Sequence, residues 1–547
     1  MKAASPVSGG AVGRNARCPC GSGRKYKYCC GGNAAARPAA SATASYERGN
    51  EHLGRGELDQ AIEQFRHAVF LQPAFYQAHS NLGIALEARG LATEALDSYW
   101  AAVRHSGRRP EAAGTFVNYV ISLGSRQREL FQMLRSDAHS PQQIRDRHLM
   151  LARQLHAHHH CSRQAHTNSR DPQRRLRVGY LSPDFRTHSV AYFITPIIAA
   201  HDRAQVEVFC YHNCPLVDGI TSHIAQLADR WLPCTKMSDD ALTARIRADG
   251  IDILVDLAGH TIGNRVLAFA VKPAPVQISY LGYPHVTGLA VMDYLLTDHL
   301  AGAGNSCNAQ RGEQALPLEP SMLVYQPAFG ARGLFGALGP AVAPAPALHN
   351  GYLTFGCFND VSKISDRLID TWRNLLAAVP TARLLLKSGG LEDAAQRDAL
   401  LMRFVQRGVD PRRLRLEGRI DELANHLAHY AEVDVALDTF PYNGVTTSFE
   451  AMWMGVPFIT LAGEGLASRM GVSIATNVGH AEWIAASAQD YVDRGVMLVR
   501  DLLALERLRQ GLRQELESSV LMDAARFTRT LESAYRAVWR RWCAQKS

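Results

Sequence analysis

No apolar run in this chain approaches the ~20 residues that a membrane-spanning helix needs, and the N-terminus lacks the apolar stretch of a secretory signal. A cytoplasmic protein is therefore expected. A disulfide framework is missing too: of eleven cysteines, four crowd between Cys18 and Cys30 and seven stand alone. That usage suits metal binding and reduced thiols better than cross-links. A net charge of +8 is spread along 547 residues, which permits acidic partners without requiring nucleic acid, and none is expected. What remains is the balance of soluble globular domains, 47% hydrophobic and 20% charged, in a chain long enough for three or four of them.

Residues 1–32 hold the crowded cysteines. Cys18, Cys20, Cys29 and Cys30 follow C-x-C-x8-C-C around a Gly-Ser-Gly turn, four soft thiolates for a closed, structural Zn²⁺ site. The segment resembles the SEC-C motif, and Arg24, Lys25 and Lys27 make it basic. Residues 33–44, rich in Ala, Gly and Ser, read as a linker. Between 45 and 170 helices are expected, because Gly49 and Gly83, Gly56 and Gly90, Ala61 and Ala95, Phe65 and Tyr99, and Ala68 and Ala102 recur 34 residues apart. This spacing resembles tetratricopeptide repeats, with two clear copies over about 43–110. Repeats of that kind offer a concave face to a peptide or protein, and would equally serve as a brace alone. The histidines from His156 to His160 have no carboxylate or cysteine set beside them and read as a solvated helix end.

From 171 to 300 strand and helix patterns alternate, the sign of a doubly wound parallel sheet. Polar residues gather after its strands: Asp184 and His188, then Asp256, Gly259, His260 and Thr261, then Gly282, Tyr283, Pro284 and His285. Ligands of open α/β sheets bind at the carboxyl edge, so these loops should face one cleft. Residues 301–350, rich in Gly, Ala and Pro, read as an inter-lobe linker, 351–488 as a second α/β lobe, and 489–547 as amphipathic helices that cross back to the first lobe. In the first βα loop of the second lobe, after Asn359 and Asp360, stands Lys363, whose ammonium suits a diphosphate leaving group.

The stretch Glu432–Arg469 reads as strand, loop, helix and strand. Asn443 and Gly444 lie in the turn, and Thr446 and Thr447 fall in the first helical turn, where free N–H groups, hydroxyls and the helix dipole favour a diphosphate. Glu450, one turn on, is placed for a ribose. The same threonines would equally cap a helix that holds no ligand.

The pattern NG-x-TT-x4-W-x-G-x-P followed by GE-x-LASR resembles the catalytic region of the O-GlcNAc transferase family, which includes the plant SPINDLY-type O-fucosyltransferases. So do SPDFRTHSV, DLAGHTIG, PAPVQISYLGYP and FNDVSKIS, in the same order from about Leu176 onward. The resemblance implies a GT-B fold of two Rossmann-like lobes and an inverting transfer of a sugar, GlcNAc from UDP-GlcNAc, to Ser or Thr hydroxyls of proteins. Fucose from GDP-fucose, or an idle cleft on a scaffold, are the alternatives.

It maps His188 beside sugar and acceptor as the first choice of general base, with Asp256 and a donor phosphate oxygen as rivals and His260 open. Thr261, Leu281 and Gly282 map near the donor sugar, Lys363 to the diphosphate, and His426 to the nucleotide; Asn359, Asp360, Asn443, Gly444, Thr446, Thr447 and Glu450 complete the donor site. With no D-x-D sequence to hold a divalent ion, metal-independent catalysis is expected. Four positions depart from the family: His285 replaces glycine after GYP, Asp360 replaces the glutamine of animal enzymes, Val445 replaces a histidine, and Glu450 replaces an aspartate.

Overall fold

The computed structural model describes residues 41–91, 116–159, 164–302 and 313–545, apart from Arg332, Ala337 and Leu338, together with Lys25 and isolated positions between 94 and 105. The four cysteines of the expected zinc module lie outside the described residues. The chain divides into two compact units, 1–129 and 130–547. Among the described residues no helix is long and apolar enough to cross a membrane.

In the first unit the helices Ala42–Gly54, Leu58–Leu71 and Tyr76–Ala88 pack around Ala61, Ile62, Phe65, Leu82, Ala85 and Leu86. Gly49 lets the first two approach: a β-carbon there would stand 2.5 Å from the Phe65 ring. Gly56 and Gly90, 34 residues apart, both adopt positive φ just after a helix, at 74° and 79°. The sequence repeat is thus repeated in the backbone.

The second unit carries two sheets, parallel throughout. The first has the order β3-β2-β1-β4-β5-β6-β7, with β1 Leu176–Ser182, β2 Val206–His212, β3 Arg230–Pro233, β4 Ile253–Asp256, β5 Val276–Ser279, β6 Tyr294–Thr297 and β7 Gln314–Pro317. The second has the order β10-β9-β8-β11-β12-β13, with β8 Thr354–Cys357, β9 Arg383–Lys387, β10 Leu414–Glu417, β11 Val435–Leu437, β12 Phe458–Leu461 and β13 Ile484–Ala485. The central strands β1, β4, β5, β8 and β12 are buried almost throughout, as sheets covered on both faces by helices must be. Ser238, Ser365 and Ser487 each accept a backbone N–H at the start of the helix that follows, which fixes where those helices begin.

Two features lie beyond the pattern read from sequence. β3 is a half-exposed edge strand with no apolar run to mark it. The first sheet also continues past residue 300: β7 pairs with β6, and Leu316, Leu318 and Met322–Tyr325 enter the core, so the start of the stretch expected as linker belongs to the lobe.

The chain then returns. Helix Ala524–Ala544 packs on the helix Ala191–Ala200 and on β5 of the first lobe. Tyr535 and Tyr180 hydroxyls meet at 3.2 Å, Glu532 bonds His201 at 2.8 Å, and Trp539 donates to Asp171 O at 3.0 Å. Helix Leu502–Ser518 is pinned to the second lobe by the fully buried Arg509, which donates to the carbonyls of Tyr430, Val433 and Ala343. One apolar core runs from β1 and the helix Ala191–Ala200 through Tyr325 to Phe449 and Trp483 of the second lobe.

Candidate functional site

Both sheets turn their carboxyl ends to loops that carry the predicted residues. On the first lobe, Asp256 ends β4 with its carboxylate folded back on its own loop. It accepts from the Ala258 and Gly259 N–H groups at 2.9 and 3.1 Å. Burial pushes this carboxyl up to about 6, against those two N–H groups. Thr261 likewise donates to Ala258 O at 2.8 Å. His260 is buried with Nε2–H directed to Thr287 O at 2.9 Å, and burial takes its pKa down to about 4.

Leu281 holds φ at +69°, a conformation that costs a side-chain-bearing residue on the order of 1–3 kcal/mol. The next residue has no choice: a β-carbon on Gly282 would lie 1.9 Å from Leu257 O. The β4 and β5 loops are thereby clamped together at the cleft.

His188 sits after β1, more open than the others. Its Nδ1 lies 3.6 Å from Asp184 Oδ1 and 3.3 Å from the Val190 N–H. Burial lowers the pKa of the ring and Asp184 offsets part of that. A proton on Nδ1 would face Asp184 and leave Nε2 as the proton acceptor, the arrangement a general base needs.

On the second lobe the βα loops form a cradle. Lys363 donates to Asn359 Oδ1 and Asn443 O, each at 3.0 Å, and its ammonium stands 4.6 Å from the Tyr442 ring centre. Burial, then the neighbouring Arg135, bring its pKa down to about 8, while Asp438, Asp360 and Cys357 oppose them. Thr447 Oγ1 donates to the same Asn359 oxygen at 3.2 Å and opens the helix Thr446–Trp453. The loop is tied from behind. Asp438 accepts from the Gly444 N–H at 2.5 Å and from Thr460 at 2.7 Å, and the fully buried Asn443 side chain donates to Thr439 O at 2.9 Å. Asn443 therefore shapes the loop with its amide and offers its backbone carbonyl to Lys363.

Asp360 turns its carboxylate to the Ser362 N–H and hydroxyl, at 2.8 and 2.5 Å. Arg135 donates to the same Ser362 hydroxyl. Burial works to raise this carboxyl, but Arg135 and the Ser362 bonds hold it below its ordinary value. The negative charge that sequence put beside the diphosphate position is thus matched by a guanidinium.

At the far end of the cradle Lys387, last residue of β9, donates to His426 Nδ1 at 2.7 Å, and His426 Nε2 meets Glu450 at 3.1 Å.

Several of these residues are absent from the sequence reading. Phe131 and Arg135 come from the end of the helix Phe116–Arg135 and close over Tyr442, the guanidinium 4.1 Å from the Phe131 ring centre. His148, from the helix Pro141–His159, is wholly buried. It gives Nδ1–H to Ile144 O at 2.7 Å and takes the Tyr283 hydroxyl at 2.6 Å. Burial holds it neutral, its pKa well below the usual value. His285, the departure after GYP, stacks 4.1 Å from His148. It also lines a cavity of about 580 Å³ bounded by Leu134–Arg145, Phe440, Pro441 and the loop Gly463–Ser468. Nothing local in the helix sequence marks Arg135 or His148; the position of Lys387 at a strand's carboxyl end was the one signal available.

Known proteins share these features. The profile of glycosyl transferase family 41 matches residues 130–314 and 346–531, and that of the SEC-C motif matches 14–32. A probable UDP-N-acetylglucosamine–peptide N-acetylglucosaminyltransferase SPINDLY of Petunia hybrida is 38% identical over 380 residues, 69% of this chain and 40% of that one. A UDP-N-acetylglucosamine–peptide N-acetylglucosaminyltransferase of Caenorhabditis elegans is 26% identical over 483 residues, 67% of this chain and 41% of that one. The chain thus spans about two fifths of the length of these curated relatives. Among solved structures, a mutant O-GlcNAc transferase of Thermobaculum terrenum shares the fold with a TM-score of 0.80 and 35% identity, over 92% of this chain and 91% of that one.

Proposed function

Given that the chain belongs to glycosyl transferase family 41, we propose that it transfers GlcNAc from UDP-GlcNAc to Ser or Thr hydroxyls of proteins, with inversion at the anomeric carbon. The observation that carries this reading is the Lys363–Asn359–Thr447 cradle, a cation and a helix N-terminus tied to one amide oxygen across the cleft from His188.

In the step proposed, the acceptor oxygen bonds to the anomeric carbon as the bond to the diphosphate breaks. The hydroxyl proton passes to His188 Nε2, and Lys363 with the Thr446 and Thr447 N–H groups takes up the charge on the leaving group. Asp256 is the weaker candidate for the base because Ala258 and Gly259 already occupy its oxygens. Leu281 and Gly282 face the donor sugar, and Glu450 and His426 the nucleoside. The acceptor chain enters from the cavity beside His285 and Phe440. The 34-residue repeats act as tetratricopeptide repeats that present the acceptor protein. Cys18, Cys20, Cys29 and Cys30 hold a structural zinc ion, with no part in the transfer.

The test is nucleotide release by purified protein supplied with UDP-GlcNAc or GDP-fucose, each with and without a lysate of the host, beside a Lys363→Met control. UDP released only with lysate, and lost in the control, is the expected result. GDP released from GDP-fucose alone would replace the donor, and no turnover of either would leave the cleft as a scaffold.

A further inference from the structure

Lys387 is a buried cation without a carboxylate neighbour. It is 3% exposed, and among the described residues no carboxylate forms an ion pair with its ammonium. It sits instead 4.1 Å above the Phe358 ring and donates to His426 Nδ1 at 2.7 Å and His426 O at 3.3 Å. Burying an ammonium this way costs free energy unless its charge is answered elsewhere. The answer lies one ring further on, where Glu450, itself 7% exposed, meets His426 Nε2 at 3.1 Å.

An ammonium can only donate. While Lys387 is charged, His426 Nδ1 must accept, so the ring proton sits on Nε2 and is given to Glu450. The three side chains form a relay in which charge at one end fixes the tautomer in the middle and the carboxylate at the other. Glu450 projects from the first turns of the helix Thr446–Trp453, whose N-terminus belongs to the diphosphate cradle. A carboxylate held there stands beyond the diphosphate, on the nucleoside side.

We propose that Lys387 is a positioning residue for the donor nucleoside: through His426 it holds Glu450 in place to accept the ribose hydroxyls, without itself touching the donor. The proposal rests on the reading of the cleft as a nucleotide-sugar site, and it adds a division of labour. Lys363 serves the diphosphate and Lys387 serves the nucleoside.

The experiment measures binding of UDP, GDP and inorganic pyrophosphate to the full chain and to Lys387→Met and Lys387→Arg by calorimetry near neutral pH. The tautomer of His426 is read in parallel by ¹⁵N spectra of histidine-labelled protein, with its signal identified by its loss in His426→Gln. In Lys387→Met the Kd of the nucleotide that binds the wild type should rise about tenfold while that of pyrophosphate changes less than about twofold. The His426 ring should lose its single Nε2–H form. Lys387→Arg, which keeps charge and donors, should restore both.

Unchanged nucleotide affinity in Lys387→Met, an equal loss for pyrophosphate, or a wild-type ring protonated at Nδ1 overturns the proposal. The last of these decides the matter even where Lys387→Met fails to fold. If neither UDP nor GDP binds the wild type, the reading of the cleft itself has failed, a result distinct from all of these.

Discussion

Replacing Lys363 by methionine removes one charge from the cradle and little volume. The ammonium rests on two neutral oxygens at 3.0 Å, so its charge is not cancelled by a contacting carboxylate and is available to an incoming anion. At ~4 Å from a diphosphate oxygen, with an effective dielectric constant of ~20, it contributes about 4 kcal/mol. That agrees with the ~10²–10³-fold that a preorganised oxyanion donor is worth. Turnover in Lys363→Met should therefore fall about 10²–10³-fold, with donor KM changed by less than about tenfold, because the leaving group carries more charge in the transition state than in the bound donor.

The wild type should also lose kcat/KM as pH rises through about 8, where the free lysine, lowered by burial and by Arg135 against Asp438, Asp360 and Cys357, gives up its proton. The variant should lack that limb. Folding runs the other way. Between about 8 and its ordinary value of 10.5 the unfolded chain holds this proton and the native chain does not, so stability rises with pH across that window. Methionine removes the cost of the buried charge, and the thermal midpoint should stay level or rise. The assay is UDP release with acceptor present, alongside a melting curve. A variant that keeps a tenth of wild-type turnover, or loses turnover and donor affinity equally, would refute the assignment of Lys363 to the leaving group.

Asp184→Asn should lower turnover by about tenfold and His188→Ala by more. The wild-type acid limb should lie below pH 6.5, since burial favours the neutral ring, and stopped pH-jump rates will show whether it moves in Asp184→Asn. Gly282→Ala forces a β-carbon onto Leu257 O and should cost about 1–3 kcal/mol or more in urea unfolding, with the donor site lost before the fold. Trp539→Ala deletes a wholly buried ring and its bond to Asp171 O, for about 3–5 kcal/mol by the same measurement.

The loops of the cleft were legible because they are written locally. Thr446 and Thr447 open a helix that a turn and a buried strand bracket, and Gly282 and Leu281 follow a strand whose apolar run is unbroken. What escaped reading was whatever joins distant stretches. Arg135 reaches Ser362 across more than two hundred residues, and His148 reaches Tyr283 across 135. Neither carries a periodicity or a spacing of its own, since an arginine ending an amphipathic helix looks like any solvated charge. Asp360 shows the reverse error. Taken alone it is a negative charge in a phosphate site, and only its bonds to Ser362, shared with Arg135, explain why it is tolerated. β7 was hidden by composition: Glu313 to Pro317 is too short and too polar for the alternation rules, yet it completes the first sheet.

The helix Ala524–Ala544 gives the protein a calendar. The face of the helix Ala191–Ala200 that it covers is made early in synthesis, and more than three hundred residues must follow before its cover exists. At 5–20 residues per second that is roughly 15 seconds to a minute during which Phe193, Ile197 and their neighbours wait unprotected on the ribosome. The first lobe can gather its sheet in that time but cannot close it. Any loss of the last two dozen residues would therefore act on the lobe that was made first and leave its apolar flank open to other nascent chains. Quality of the earliest part of the catalytic body is decided by whether the latest part arrives.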